Sequence, residues 1–312
     1  MAQFFSALSA VGVIFGLVLT GAFCGWRGWM KPEDKGFCIK VVINIGTPAM
    51  CLCSILNQVD MDMLRECAVL VGLSVAALAV LLAASLLVSK GMGLPRSKAG
   101  SFVVMSGYAN AMFIGMPVCQ LLFGEAAMPY ALSYYLVNMV CFQSVGLFLM
   151  HYFGAKGGSP SVKSALLQML KPPLLSVLLA LALMALDLRP PEMVMNWLQY
   201  LSNLVTPLAL LYAGYVLYEN GLRNLRMERS HWAVMFFRFL AAPALAVLLC
   251  RLAGVGGLAA QVLAIEIATP AMTQTVVYAA DTNQDETYTL IGMATTTLAC
   301  FVVIPVLMAL LS

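Results

Sequence analysis

Asn44-Ile45-Gly46-Thr47-Pro48 returns as Asn203-Leu204-Val205-Thr206-Pro207, 159 residues later in a chain of 312. Each copy sits inside an apolar run long enough to cross a bilayer. A motif recurring at half the chain length predicts two copies of one transmembrane unit. Paired, proline-interrupted helices in matching positions of two halves are how many secondary transporters build a site near the bilayer midplane. Transport is therefore the first expectation.

Composition agrees with a lipid environment. Hydrophobic residues make up 62% of the chain and charged residues 10%, against about 25% charge in a soluble domain. Mean hydropathy is +0.92. The net charge of +3 is spread over short connections, so the clustered basic face that nucleic acid requires is missing. Nine Cys and two His are scattered without a CxxC pair, which argues against a zinc cage or a disulfide framework. Cys51 and Cys53 read as small apolar filling.

A span of helix needs about 20 apolar residues, and ten runs qualify: 4–26, 36–57, 66–89, 100–122, 127–152, 173–188, 193–219, 231–252, 257–279 and 286–311. The first lacks the basic n-region of a signal peptide, because Met1-Ala2-Gln3 carries no Lys or Arg, so it is expected to be retained. Lys and Arg accumulate in cytoplasmic loops. With both termini outside, twelve basic residues fall in inner connections (Arg27, Lys31, Lys35, Lys90, Arg96, Lys98, Lys156, Lys163, Lys171, Arg223, Arg226, Arg229) and three in outer ones (Arg65, Arg189, Arg251). Five spans per half force the second copy to enter the membrane upside down, an inverted repeat. The expected organisation is residues 1–153 as the first repeat, 154–172 as a Gly- and Pro-containing cytoplasmic linker, and 173–312 as the second repeat.

Each half also carries a proline-broken fourth helix, Asn110-Ala111-Met112-Phe113-Ile114-Gly115-Met116-Pro117 in the first and Glu266-Ile267-Ala268-Thr269-Pro270-Ala271-Met272-Thr273-Gln274 in the second. A proline inside a helix removes one N–H and displaces the carbonyl four residues earlier. The carbonyls expected to be freed are those of Asn44, Phe113, Asn203 and Glu266. In hydrocarbon such a break persists where protein, water or a ligand satisfies it. Freed oxygens suit a cation, and the N-terminus of the following half-helix suits an anion. The bland reading of one such motif is a healed kink; matched positions in two halves favour a site.

Glu266 lies near the middle of its run, where a charge costs at least about 2.5–3.5 kcal/mol. Helical spacing puts it on one stripe with Thr269, Pro270, Thr273 and Val277. Protonation, cation binding and gating are the functional readings for it; a permanently protonated, hydrogen-bonded carboxyl is the structural one. Arg238 is expected to snorkel to the nearer interface. Asn138 and Gln143 on the fifth run and Gln274 on the ninth join the candidate site, although interhelical bonding explains most such residues, including Tyr288 and Thr295 to Thr297. His151 and His231 are expected at headgroup level.

The N-x-x-F-x-G-x-P form of Asn110 to Pro117, the Ala268-Thr269-Pro270-Ala271 segment, the Pro48 and Pro207 helices and the ten-run layout resemble the auxin efflux carrier family. Its bacterial members include proposed malonate and malate permeases. The resemblance covers essentially the whole chain, and the order and spacing of its short motifs carry the match. It implies a fold like that of plant PIN transporters and the bile acid sodium symporter group: two broken helices crossing near the membrane centre, a mobile bundle beside a scaffold, and an organic anion as substrate. The family's crossover prolines fall on Pro117 and Pro270, and its first-half crossover asparagine on Asn110. This chain departs from the family's frequent M-P dipeptide by placing Thr269 before Pro270. An asparagine often seen a few residues later stands here as Gln274 or Thr273. The long central loop of plant members is missing, so control through such a loop is unavailable.

The expected molecule is an all-α integral membrane protein of ten spans in two inverted five-helix repeats, with broken, crossing fourth and ninth helices and a scaffold beside a mobile transport bundle. Its expected function is elevator-type, alternating-access transport of a small mono- or dicarboxylate, auxin-like or malonate/malate-like. Substrate contacts are expected from Asn110, Gly115, Pro117, Thr269, Pro270, Thr273, Gln274, Asn138 and Gln143. Coupling or ion binding is assigned to Glu266, Asn44, Thr47, Asn203 and Thr206. No metal or organic cofactor is expected; the coupling ion is H+, Na+ or neither. Expected partners are the lipid bilayer, the anion and a second copy of the chain, with no nucleic acid, in a bacterial cytoplasmic membrane. An enzyme is disfavoured because the sequence has no HExxH or G-x-S-x-G. A sensor that binds the same anion without moving it is the alternative.

Overall fold

The computed structural model describes residues 2–58, 61–154, 172–220 and 226–311. Of the expected 154–172 linker only Gly154 and Pro172 are among them; Lys156, Lys163, Lys171 and Arg223 lie outside the described residues. Within the described residues every regular element is a helix. That is the outcome dictated by a chain with so few charges, because a backbone in hydrocarbon must satisfy its own polar groups.

Among the described residues, five helices are long and apolar enough to cross a bilayer: Asp34–Asn57, Arg65–Gly91, Glu125–Phe153, Arg229–Leu252 and Glu286–Leu310. Shorter apolar helices are Gly16–Trp26, Ala111–Phe123, Leu175–Ala185 and Gly257–Ile267. Large apolar side chains such as Leu87, Leu252, Val302 and Leu310 point outward while Asn138, Gln143, Arg238 and Glu266 are buried. The arrangement is the reverse of a soluble protein's surface.

The helices form two packed groups. In one, α1 (Ala2–Trp26), α2 (Asp34–Val41) and α3 (Thr47–Gln58) pack with the later helices Pro172–Ala185, Glu192–Ser202 and Val205–Asn220. The contact between α1 and Val205–Asn220 is backbone to backbone: a Cβ on Gly21 would overlap the Leu211 carbonyl, and one on Gly214 would overlap that of Val18. Small residues permit this approach, which is how helices associate without a hydrophobic driving force. The other group contains α4 (Met61–Gly91), α5 (Arg96–Gly107), α6 (Met116–Phe123), α7 (Met128–Cys141) and α8 (Leu147–Phe153). In chain order the later helices of the first group are α9 (Pro172–Ala185), α10 (Glu192–Ser202) and α11 (Val205–Asn220), and the second group is completed by α12 (Arg229–Phe236), α13 (Ala242–Leu252), α14 (Gly257–Ile267), α15 (Gln274–Asp281) and α16 (Glu286–Leu311).

Several expected runs are interrupted. The run 193–219 is α10 and α11 joined at Asn203-Leu204, 100–122 breaks at Tyr108-Ala109-Asn110, and 257–279 breaks between α14 and α15. The first-half break therefore lies seven residues before Pro117, which sits instead in the first turn of α6. The π turn Ala111–Gly115 runs straight into α6, so Pro117 lies inside one continuous helix, Ala111–Phe123, and its ring still removes an intrahelical donor. The two copies of N-x-x-T-P also differ: the first lies across a π turn, Val42–Gly46, and the second across the α10–α11 joint. Further π turns occupy Ala111–Gly115, Phe142–Gly146 and Phe237–Ala241. Widened turns of this kind are frequent at functional sites.

Candidate functional site

The two interruptions meet. Ala109 and Ala271 form an isolated antiparallel bridge, in which the Asn110 N–H donates to the Pro270 carbonyl at 2.8 Å and the Met272 N–H to that of Tyr108 at 3.3 Å. Side chains satisfy what this two-rung pairing leaves over. Asn138 brackets Ala109, donating from Nδ2 to its carbonyl at 2.9 Å and accepting its N–H on Oδ1 at 3.1 Å. The Thr296 hydroxyl accepts the Ala271 N–H at 3.2 Å. Asn110 Nδ2 donates to Thr273 Oγ1 at 2.8 Å, a side-chain link between the two broken helices.

Arg238 holds the other side of the crossover. It is fully buried, so the expected snorkelling is corrected. Its guanidinium donates to the Gly107 carbonyl at 3.1 Å and to the Thr269 carbonyl at 3.0 and 2.6 Å, and a further bond goes to the Ile267 carbonyl. These oxygens lie at the C-terminal ends of α5 and α14, where helices leave unsatisfied carbonyls and partial negative charge. The fork geometry of guanidinium lets one residue serve both ends. The π turn Phe237–Ala241 carries Arg238, while Glu266's own carbonyl is taken by the Thr269 hydroxyl at 2.8 Å.

Opposite Arg238, the first turns of the following half-helices open on a cavity lined by Ala111, Met112, Asn110, Asn138, Gln143, Thr273 and Gln274, with Ile43 reaching in from the other group. Its volume is about 20 Å³, room for one water molecule. Two side chains stand out: both amide atoms of Gln143 and the Oε1 of Gln274 are buried without a hydrogen-bond partner among the described residues. Buried amides left so cost about 1–3 kcal/mol each, and the cavity is where a ligand would satisfy them. Gln143 is held in the π turn Phe142–Gly146, against which Tyr108 packs edge-on to Phe142 at 5.5 Å and donates to the Cys141 carbonyl at 3.0 Å. The break and the turn thus position each other.

Asn110, Asn138, Gln143, Thr273 and Gln274 are brought together at this cavity. Pro270 and Thr269 contribute backbone carbonyls to the crossover instead. Gly115 and Glu266 face each other away from the cavity: a Cβ on Gly115 would overlap the Glu266 carboxyl. Because α14 ends at Ile267, the stripe expected to join Glu266 with Thr273 is not continuous. Thr47 bonds the Val42 carbonyl at 2.8 Å and Thr206 bonds Gln120 Oε1 at 2.6 Å, while Asn44 and Asn203 are exposed; none of these four lines the cavity. His231, in the first turn of α12, is buried against the protein, its Nε2 at 2.9 Å from the Tyr288 carbonyl and its Nδ1 accepting the Glu228 N–H at 2.9 Å. Sequence reasoning missed Arg238 as part of the crossover and Ile43 as part of the cavity wall, while Thr296 makes an interhelical bond of the kind expected of it. A lone arginine in an apolar run was the one available signal.

A family model described as membrane transport protein matches residues 6–164 and 159–308. The chain belongs to that family. It is the family of auxin efflux carriers to which the broken-helix motifs pointed. A protein named as an uncharacterized transporter of Methanocaldococcus jannaschii is 28% identical over 277 residues, covering 86% of this chain and 87% of that one. Another of that name from Methanothermobacter thermautotrophicus is 26% identical over 282 residues, covering 90% and 91%. The family and these relatives are transporters and not enzymes, and the chain is a multi-pass membrane transporter.

Proposed function

We propose that the protein moves a small organic anion, a mono- or dicarboxylate of malonate, malate or auxin type, by alternating access, with the anion held in the crossover cavity. The carrying observation is the sign of the electrostatics there. Arg238 neutralises the carbonyl ends of α5 and α14, while the opposite, partly positive ends of the next half-helices open on the cavity. An anion is stabilised at such a place and a sodium ion is not, since the carbonyls that would coordinate it are bonded to guanidinium. The unpartnered Nε2 of Gln143 and the hydroxyl of Thr273, which accepts from Asn110 and keeps its own proton to give, supply donors for carboxylate oxygens.

The cavity lies at the boundary of the two helix groups, and in this conformation it is too small for a dicarboxylate. An elevator motion, with the α1–α3 and α9–α11 group as scaffold and the remainder as moving bundle, would open it. Contacts across that boundary include Phe113 against Tyr212 with ring centroids 5.1 Å apart, Thr47 Oγ1 at 3.7 Å from Met112 Sδ, and the Thr206 hydroxyl donating to Gln120 Oε1 at 2.6 Å. The layout of ten spans in two inverted halves, with both termini outside, belongs to the same proposal.

The test is uptake of labelled malonate, malate and indole acetate into proteoliposomes. Saturable uptake with counterflow, lost in Asn110→Ala, supports the reading. Uptake linear in concentration without counterflow indicates a channel and contradicts it.

A further inference from the structure

We propose that Glu266 is the proton-binding site that couples this transporter to a pH gradient, and that the crossover packs as it does here only when that carboxyl carries a proton. The inference rests on the reading of the protein as an anion carrier, and extends it to the coupling ion.

Glu266 is completely buried, and neither carboxyl oxygen has a nitrogen or oxygen hydrogen-bond partner among the described residues. It points from α14 into the first broken helix, where the absence of a side chain at Gly115 makes the room it occupies. The groups facing it are the thiol of Cys119 from α6, a weak donor, and the phenol of Tyr134 from α7, with the Arg238 guanidinium beyond Tyr134. Arg238 itself is committed to three backbone carbonyls. A buried carboxylate without a bonded partner is strongly disfavoured, whereas a carboxylic acid of the same shape fits against glycine and thiol. A hard cation, which needs several oxygen ligands, does not match these neighbours.

The position links protonation to movement. Glu266 sits one residue before Ile267, whose carbonyl Arg238 binds, and its carboxyl packs on Gly115, which closes the π turn that begins beside the cavity at Ala111. Loss of the proton leaves a charge that must reach water. Either α14 separates from the Gly115 turn or water enters between them, and both disturb the bridge that shapes the anion site. Tyr134, whose hydroxyl is 3.4 Å from Asn138 Oδ1, ties the same neighbourhood to the cavity wall.

Glu266→Gln, a neutral isostere of the protonated acid, provides the test. First, infrared difference spectra of wild type minus Glu266→Gln are recorded in bilayers at a pH above the ordinary carboxylate range. A protonated-carboxyl carbonyl band lost in the variant is expected, and its absence from wild type overturns the proposal whatever the substrate. Second, malonate, malate and indole acetate uptake is compared under pH gradients of both polarities. For one coupled proton, a gradient of about one pH unit changes limiting accumulation by about tenfold. The expected result is that wild type shows this change and folded Glu266→Gln loses it while keeping counterflow. Gradient dependence persisting in the variant, or counterflow lost from it while its unfolding midpoint is unchanged, overturns the coupling role. Wild type that transports without gradient dependence refutes the coupling alone; wild type that transports none of the three anions refutes the anion reading as well.

Discussion

Arg238 replaces a partner that three backbone carbonyls lost when two helices broke. Removing it leaves buried acceptors that each cost about 1–3 kcal/mol, so Arg238→Met is predicted to lower unfolding stability in detergent by about 3 kcal/mol or more. Arg238→Lys should recover only part of this, because an ammonium cannot span the ends of both α5 and α14 as a guanidinium does. Equal stability of the methionine variant and wild type would contradict the assignment. The residue was visible in the sequence as a lone charge in an apolar run, and its destination was not. A long side chain in a membrane can reach water or reach carbonyls, and the choice depended on where the α5 break fell. That break was invisible because Tyr108-Ala109-Asn110 contains no proline, and Pro117 drew attention seven residues too far along. Asn110, Asn138, Gln143, Thr273 and Gln274 were legible as polar residues in apolar runs, and their convergence on one cavity depends on packing that no spacing encodes.

At the scale of elements, the protein spends its irregularities where helices must touch closely or turn. The α1–α11 pair is held by Gly21 and Gly214, each lying against a carbonyl of the partner helix. Gly214→Ala is predicted to force the pair apart and destabilise by about 1–3 kcal/mol. Gly72→Ala on α4, where an added Cβ meets nothing within 4 Å, should be neutral or stabilising by up to about 1 kcal/mol. Thermal unfolding of the two variants side by side checks the pair; a similar loss in both would remove the close-approach argument. Most helices were readable from apolar runs, since the bilayer leaves the backbone few alternatives. The π turns were not, because one extra residue in a turn leaves no mark in hydropathy. Gln143 and Arg238 both sit in such turns, and the first N-x-x-T-P copy spans another while the second spans a two-residue joint.

At the scale of the molecule, composition alone placed the chain in lipid, and the motif order placed it in its family. The division into two helix groups was not readable, since α3 packs on α9 and α10 across more than a hundred residues of sequence. The proposed motion of those groups makes a prediction at their boundary. Gln120 of the second group accepts a bond from Thr206 of the first at 2.6 Å, so Gln120→Cys with Thr206→Cys, in a background lacking the nine native cysteines, should cross-link under oxidation. Cross-linking is expected to stop transport and reduction to restore it; full transport by the cross-linked protein would exclude sliding along this face. The most direct measurement concerns Gln143, whose amide bonds nothing in the described structure. A purely structural Gln143 would be replaced by Leu with no loss, because removing an unsatisfied buried amide is neutral or stabilising. If the crossover cavity holds the anion, Gln143→Leu keeps or raises the unfolding midpoint yet weakens counterflow of the transported anion by about tenfold or more in KM, the equivalent of about 1.4 kcal/mol. An unchanged KM in a stable Gln143→Leu variant would place the anion elsewhere.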